Sequence, residues 1–409
     1  MRITVNSPDG LGDFILRLPL VEALLAKGGR LQLVMRPPAA DLAKELFPET
    51  EVLVLEKCPF HAETKKLRHP FRGEIAQIRR FAPDLYVAAA FQPNFFDEVF
   101  LEENRDISAA GFVAADRLWP SDTSVDPREM AARYAVRVQV PVAMPEGEKN
   151  RRMASALTGG DFTPATTRMP SARDLEAARH ILKANEIKER DFIVVCAGSR
   201  PGLLMKDWGE KNWAALLAEI SREESRAFVF VGNPKEEASI AKLRGAMAAG
   251  SRHVSLAESP LDIAVSYALL SLASVYVGRD SGIMHLAALT GTRLLAVFSG
   301  GHWPRFVPES KRGIILTRKA SCRGCNFYCP YPEPWCATSV PVESVREAWN
   351  DLPTVQSLEI RELPEEGAPF SRIPASERDE FVRRGFDTAR DAVKRLHRGN
   401  QLARLLKWS

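Results

Sequence analysis

One stretch of the chain reads Gly278-Arg279-Asp280-Ser281-Gly282-Ile283-Met284-His285 and lies between a short apolar run and a helical pattern. Residues 274–277 predict an inner strand, and residues 285–289 predict a helix. Asp280 or Ser281 can cap that helix, and Gly282 lets a ligand approach the backbone closely. The unpaired amides of the first helical turn favour a bound anion, although a simple capped turn has the same sequence pattern.

Apolar runs alternate with amphipathic helical patterns in both halves of the chain, which predicts the α/β class with parallel sheets. The first half has predicted strands at residues 3–5, 31–35, 52–55 and 85–90, and the second half at 192–196, 228–231, 275–277 and 294–298. Ligands bind at the carboxyl ends of strands in such sheets, so we expect a cleft between two domains.

A stretch rich in proline and glycine, residues 141–170, interrupts the periodic pattern and predicts a domain boundary. We expect an N-terminal domain at 1–165, a C-terminal domain at 166–350, and a linker with a basic helix at 351–409. The basic segment 376–408 can lie on an anionic membrane surface, or it can pack back across the domains.

The composition is that of a globular protein with substantial cores, since 45% of the 409 residues are hydrophobic. A net charge of +4 does not favour general binding of nucleic acid. No apolar run approaches the roughly 20 residues that a membrane-spanning helix needs. The strand-like N-terminus is unlike a signal peptide, so we expect a cytoplasmic protein.

The first predicted strand leads into Asn6-Ser7-Pro8-Asp9-Gly10-Leu11-Gly12-Asp13, and a helix follows. A dinucleotide fingerprint would need a small residue where Ile15 stands, and a Walker A loop would need Gly-Lys-Ser/Thr; neither is present. Asp13 therefore either caps the helix or accepts a proton from a sugar hydroxyl during group transfer.

Two loops of the second half carry further polar side chains after predicted strands. The loop after residues 192–196 contains Ser199, Arg200 and Lys206, and either cation can neutralise a diphosphate leaving group. Glu236, after residues 228–231, can accept a hydrogen bond from a ribose hydroxyl. These two loops and the turn at Asp280 to His285 should converge with Asp13 on one cleft. A solvated loop lysine is the alternative for Lys206.

From residue 1 to 352 the chain resembles the heptosyltransferases of glycosyltransferase family 9, which use ADP-heptose in lipopolysaccharide core synthesis. The resemblance rests on the order and spacing of Leu11-Gly12-Asp13, Lys206-Asp207-Trp208, Gly232-x-x-x-Glu236 and Asp280-Ser281-Gly282-x-x-His285. The last element continues into Gly291-Thr292 and another predicted strand. The loop between Ser199 and Lys206 is longer than the family usually shows.

The resemblance implies GT-B architecture, with two Rossmann-like, doubly wound parallel sheets facing an interdomain cleft. It implies inverting transfer of heptose without a metal or other cofactor, with Asp13 as the general base. Lys206, Ser199 and the amides near Ser281 and Gly282 would hold the diphosphate, while Asp280, His285 and Glu236 would line the donor pocket. The alternatives are a same-fold transferase with another nucleotide sugar or acceptor, and a nucleotide-sugar-binding protein without catalysis.

The acceptor is expected to be an anionic, lipid-linked saccharide of the lipopolysaccharide inner core, bound at the cytoplasmic face of the inner membrane. Residues 57–80 support an anionic acceptor because their charged side chains are mostly basic, although a solvated surface is an equal alternative. The basic residues are Lys57, Lys65, Lys66, Arg68, Arg72, Arg79 and Arg80.

Four of the six cysteines fall within one short segment: Cys322, Cys325, Cys329 and Cys336. Four thiolates at this spacing can bind zinc tetrahedrally, and an iron–sulfur cluster is the next option. Free thiols or local disulfides are the alternatives. A zinc ion here would be structural, since the segment is distant in sequence from the predicted chemistry.

Overall fold

The computed structural model describes residues 1–60, 64, 66–116, 127–162, 168–199, 201–325, 327, 329, 331 and 333–368. The chain divides into two compact units, Met1–Ala165 and a second one that begins at Thr166. Within the described ranges, no helix is both long and apolar enough to cross a membrane. The predicted basic helix at 376–408 lies outside them.

The first unit is built on a six-stranded parallel sheet with the order β3-β2-β1-β4-β5-β6. Strand order reverses between β1 and β4, and Val5 of β1 pairs with Leu33 of β2 and Val87 of β4. The loop that precedes Asp13 follows β1, at the point where parallel sheets usually bind ligands. The strands are β1 Arg2–Ser7, β2 Arg30–Met35, β3 Glu51–Val54, β4 Leu85–Ala88, β5 Ser108–Ala114 and β6 Val136–Val140.

Helices connect these strands and bury their apolar faces against the sheet. Phe96 and Phe100 of one helix pack with Tyr86 of β4 in the core. The helix Glu146–Thr158 packs on the helix Leu11–Ala26, which brings the end of this unit beside its first loop. The other helices are Ala39–Leu46, Arg72–Phe81, Phe95–Glu103 and Pro127–Arg133.

The second unit contains a seven-stranded parallel sheet with the order β13-β12-β11-β10-β7-β8-β9, so it repeats the first order and adds one strand. The reversal now lies between β7 and β10. The loops after these two strands carry Lys206 and Asp280. The strands are β7 Phe192–Cys196, β8 Ala227–Phe230, β9 His253–Ser255, β10 Val275–Arg279, β11 Arg293–Phe298, β12 Gly313–Arg318 and β13 Leu358–Leu363.

Two tryptophans fix the loop after β7 to the rest of the second unit. Trp208 and Trp213 are buried and meet edge to face at 4.8 Å, and the Trp208 indole donates a hydrogen bond to the Val340 carbonyl at 2.8 Å. The helices of this unit are Ala172–Ala184, Glu210–Glu223, Glu237–Gly245, Ile263–Leu272, Gly282–Leu289, Trp335–Thr338 and Val342–Asp351, with 3₁₀ turns at Pro201–Lys206 and Pro234–Glu236.

The α/β class with two parallel sheets, as predicted, is confirmed. Strand β13 lies beyond residue 350, the predicted end of the second domain, and pairs with β12 in the register Ile315 to Ile360. This edge strand is only partly buried and alternates apolar with charged residues, so its sequence lacks the continuous apolar run of an inner strand. Strands β5, β6, β9 and β12 were also not predicted.

Candidate active site

The turn after β10 forms as the sequence predicts. Ser281 is the N-cap of the helix Gly282–Leu289, and its hydroxyl oxygen accepts a hydrogen bond from the Met284 amide at 3.3 Å. The same oxygen lies 3.2 Å from the Tyr276 hydroxyl, which also donates to the Arg279 carbonyl. A β-carbon on Gly278 would lie 2.6 Å from that hydroxyl, so only glycine allows this packing. Tyr276 of β10 therefore fixes the Ser281 cap.

Lys206 and Asp280 meet although they belong to different loops. The Lys206 ammonium lies 3.0 Å from Oδ2 of Asp280, and their side chains are 28% and 3% exposed. The carboxylate is therefore buried, while the ammonium remains open to a ligand. This ion pair joins the loops after two neighbouring strands, β7 and β10.

His285 is buried one turn into the same helix, with 2% of its surface exposed. Burial lowers its pKa to about 4; Asp280 opposes this shift, and the nearby Lys206 charge adds to it. The imidazole is therefore neutral at neutral pH. Its Nδ1 has no hydrogen-bond partner within the described chain, which leaves one ring nitrogen for a ligand.

Glu236 lies at the same edge of the sheet but is already engaged by the protein. Its Oε1 accepts a hydrogen bond from Arg279 at 2.9 Å in a buried ion pair, and its Oε2 accepts one from the Asn233 amide at 3.1 Å. A β-carbon on Gly232 would lie 2.6 Å from Oε2. Arg279 was not predicted as a site residue, although a cation at the end of a buried strand indicates a buried partner.

Two serine hydroxyls flank the turn. Ser199 follows β7 and Ser299 follows β11, and the two strands lie on either side of β10. Each hydroxyl oxygen is buried without a hydrogen-bond partner in the described residues. A buried hydroxyl without a partner is costly, so both oxygens are candidates for ligand contact. Ser299 was not predicted, and Arg200 lies outside the described ranges.

In the first unit, Asp13 lies in the first turn of the helix Leu11–Ala26, and its Oδ2 accepts a hydrogen bond from the Gly10 amide at 3.1 Å. One turn further, the Arg17 guanidinium donates to both carboxylate oxygens of Asp9, at 2.6 and 2.8 Å, and to the Ser7 hydroxyl. Burial alone would lower the pKa of Arg17, but the carboxylates of Asp9, Asp13 and Glu146 raise it overall. A permanent cation therefore binds the loop that precedes Asp13.

Further buried charges lie in the same unit. Lys149 pairs with Glu146 at 2.7 Å, and its ammonium lies 3.7 Å from the centre of the Phe91 ring. Asp97 accepts hydrogen bonds from Tyr86 and Asn6, while burial raises its pKa to about 6. Asp97 and its partners Tyr86 and Asn6 belong to different elements, so periodicity gave no signal for their contacts.

The predicted basic acceptor region, residues 57–80, is partly used in internal contacts. The Lys57 ammonium donates to the Pro70 carbonyl at 3.1 Å, and Arg79 donates to Asn104 and to the Glu103 carbonyl. Lys65 lies outside the described residues. Arg68, Arg72 and Arg80 are exposed.

The four clustered cysteines are free thiols that pack around Tyr331 and Trp335. Burial raises the pKa of Cys322, Cys325 and Cys336, which favours the protonated form. The Cys336 sulfur accepts a hydrogen bond from the Gly300 amide at 3.1 Å. Among the residues that the structure describes, which include all four cysteines, no group of three potential ligands is arranged to hold a metal. The arrangement does not support the predicted zinc site.

Comparisons with known proteins agree with this architecture. The glycosyltransferase family 9 (heptosyltransferase) model matches residues 123–328, half of the chain. A family 9 glycosyl transferase from Veillonella parvula is similar in structure, with a TM-score of 0.67, 14% identity, and coverage of 86% of this chain and 96% of that one. No curated protein matches the chain significantly in sequence.

Two Escherichia coli structures are also similar. ADP-heptose lipopolysaccharide heptosyltransferase II gives a TM-score of 0.61 at 17% identity, covering 86% of this chain and 98% of that one. Heptosyltransferase WaaC with ADP gives 0.58 at 17% identity, covering 86% and 99%. These likenesses confirm the expected GT-B class of fold. Together with the family match, they show that the chain belongs to glycosyltransferase family 9, the heptosyltransferases, and is a glycosyltransferase.

Proposed function

We propose that the protein transfers heptose from ADP-heptose to a hydroxyl group of the lipopolysaccharide inner core, with inversion and without a divalent metal. The observation that carries this proposal is the Lys206–Asp280 ion pair beside the first turn of the helix Gly282–Leu289. The names of the similar E. coli proteins, which include ADP-heptose and ADP, support the choice of donor.

The donor diphosphate would lie against the turn after β10. The partly exposed Lys206 side chain and the amides near Ser281 and Gly282 supply positive charge without a metal ion. Ser199 adds a hydroxyl, and Ser299 is a second one of the same kind. Asp280 repels phosphate but binds the Lys206 ammonium. Asp280 and neutral His285 would face the sugar. Glu236 would lie on the ribose or adenine side of the donor, and it also binds Arg279 in an ion pair.

Asp13 would act as the general base. It removes the proton of the acceptor hydroxyl as that oxygen forms a bond to the anomeric carbon, and the bond from that carbon to the diphosphate oxygen breaks with its electron pair. ADP leaves on the opposite side, so the configuration inverts. Arg17 would keep the loop that precedes Asp13 in place through Asp9 and Ser7.

The acceptor would be an anionic, lipid-linked saccharide at the cytoplasmic face of the inner membrane. The exposed cations Arg68, Arg72 and Arg80 suit such a surface. Another nucleotide sugar or another acceptor is the second candidate. A binding protein without catalysis is the third, and the joint presence of Asp13, Lys206 and His285 favours an enzyme over it.

A panel of nucleotide sugars tests the donor assignment. Purified protein is incubated with an inner-core acceptor, EDTA, and ADP-heptose, ADP-glucose, UDP-glucose or GDP-mannose in turn, and nucleoside diphosphate release is measured. We expect turnover with ADP-heptose and none, or far less, with the others. Turnover only with another donor would overturn the assignment, and turnover that EDTA abolishes would overturn metal independence.

A further inference from the structure

Phe327, a described residue of the cysteine-rich segment, lies at the proposed donor site. Its ring centre lies 5.2 Å from the Lys206 ammonium, within the range of a cation–π interaction. The ammonium therefore contacts both the Asp280 carboxylate, at 3.0 Å, and the face of an aromatic ring. The segment is distant in sequence from the predicted chemistry, yet in the fold Phe327 lies beside Lys206.

Several contacts fix Phe327 in this position. Its ring packs on the His302 ring at 4.4 Å and covers Gly301, where a β-carbon would come within 2.4 Å of the ring. The Gly300 carbonyl accepts a hydrogen bond from the Gly324 amide at 2.9 Å, which anchors the segment to the loop after β11. Phe327 itself has a φ of 68°, a left-handed conformation that is costly for a bulky residue.

We propose that Phe327 is a positioning residue that holds the Lys206 ammonium where the donor diphosphate binds, so that the cysteine-rich segment is part of the donor site. This proposal rests on the proposed function. Asp280 and an incoming diphosphate compete for the same ammonium, because both are negative. The ring attracts the cation without competing for its hydrogen bonds. The Lys206 ammonium therefore stays at the site while its hydrogen-bond partner changes from Asp280 to the phosphates.

The test is nucleotide binding by the full chain, measured by calorimetry with whichever of ADP, UDP and GDP the wild type binds. Phe327→Leu removes the aromatic face, and we expect its dissociation constant and the KM for donor to rise about threefold to tenfold, with kcat nearly unchanged. Phe327→Tyr keeps the face and should bind as the wild type does. Phe306→Leu is the matched control, since the Phe306 ring also packs on the His302 ring, at 5.0 Å.

A double-mutant cycle separates positioning from simple structural damage. In the Lys206→Ala background, Phe327→Leu should have almost no further effect, because the ammonium that it positions is gone. An undiminished effect there, or wild-type binding by Phe327→Leu alone, would overturn the role of Phe327. Failure of the wild type to bind any of the three nucleotides would instead overturn the proposed function.

Discussion

Glu236 and Arg279 form an ion pair of 2.9 Å with each side chain only 4% exposed, and it joins the loop after β8 to the last residue of β10, across the end of β7. Arg279 immediately precedes Asp280, which pairs with Lys206. The two ion pairs therefore connect three loops at one edge of the second sheet. The geometry of the proposed donor site depends on them.

Glu236→Gln should destabilise the protein, because it leaves the Arg279 guanidinium buried without a counter-charge. We expect the free energy of unfolding to fall by about 3 kcal/mol, measured by denaturant titration. Glu210→Gln is the control, since the exposed pair of Glu210 with Lys242 should contribute less than about 1 kcal/mol. Equal effects of the two substitutions would show that the buried pair has no special role.

Lys206→Ala should weaken binding of ADP about 10- to 100-fold, the range for loss of a charge-assisted hydrogen bond to phosphate. Lys211→Ala removes an exposed positive charge five residues further on and should leave the affinity unchanged. Calorimetric titration of both variants checks this. Comparable affinities for the two variants would argue against a phosphate contact at Lys206.

His285 should make stability depend on pH. Its pKa is about 4 in the folded protein and near 6.5 in the unfolded chain, so the unfolded chain takes up the proton first as the pH falls. The contribution of neutral His285 is complete above pH 6.5 and is lost as the pH falls towards 4, by about 3 kcal/mol in total. The unfolding free energy of His285→Gln should therefore fall less over this window than that of the wild type.

The same measurement on His180→Gln, which changes an exposed histidine, is the control and should follow the wild type. Parallel curves for His285→Gln and the wild type would contradict a buried neutral imidazole.

Arg17→Lys should slow transfer without weakening donor binding. Lysine cannot make the two parallel hydrogen bonds that Arg17 makes to Asp9, so the loop before Asp13 loses its anchor. We expect kcat to fall about tenfold, the effect of a small misplacement of a catalytic group. Arg152→Lys, on an exposed part of the helix Glu146–Thr158, is the control. A rise in the donor KM with unchanged kcat would contradict the proposed role of Arg17 in positioning Asp13.

The sequence predicted much of the local structure at the carboxyl edge of the second sheet, because the determinants of that structure are local. The strand, the Ser281 cap and the following helix lie within one short stretch, and Lys206 and Asp280 could be brought together by the rule that strand ends converge. The resemblance to family 9 then assigned roles that the local chemistry alone left open.

What the sequence did not predict depends on contacts between distant residues. Arg279 with Glu236, Asp97 with Tyr86, and Phe327 with Lys206 all join segments that no periodicity connects. Strand β13 was missed because an exposed edge strand alternates charged and apolar residues. The zinc prediction followed cysteine spacing, whereas the thiols pack into an apolar cluster with Tyr331 and Trp335.

The most direct test of the account is transfer by Asp13→Asn, measured as single turnover of ADP-heptose with an inner-core acceptor in EDTA, with ADP affinity measured on the same sample. Asp41→Asn, an exposed acid in the first turn of another helix, is the control and should behave as the wild type. We predict that Asp13→Asn slows transfer by about 100- to 10,000-fold, the contribution of general base catalysis, while ADP affinity stays within about twofold. Transfer within about threefold of the wild-type rate would contradict the account.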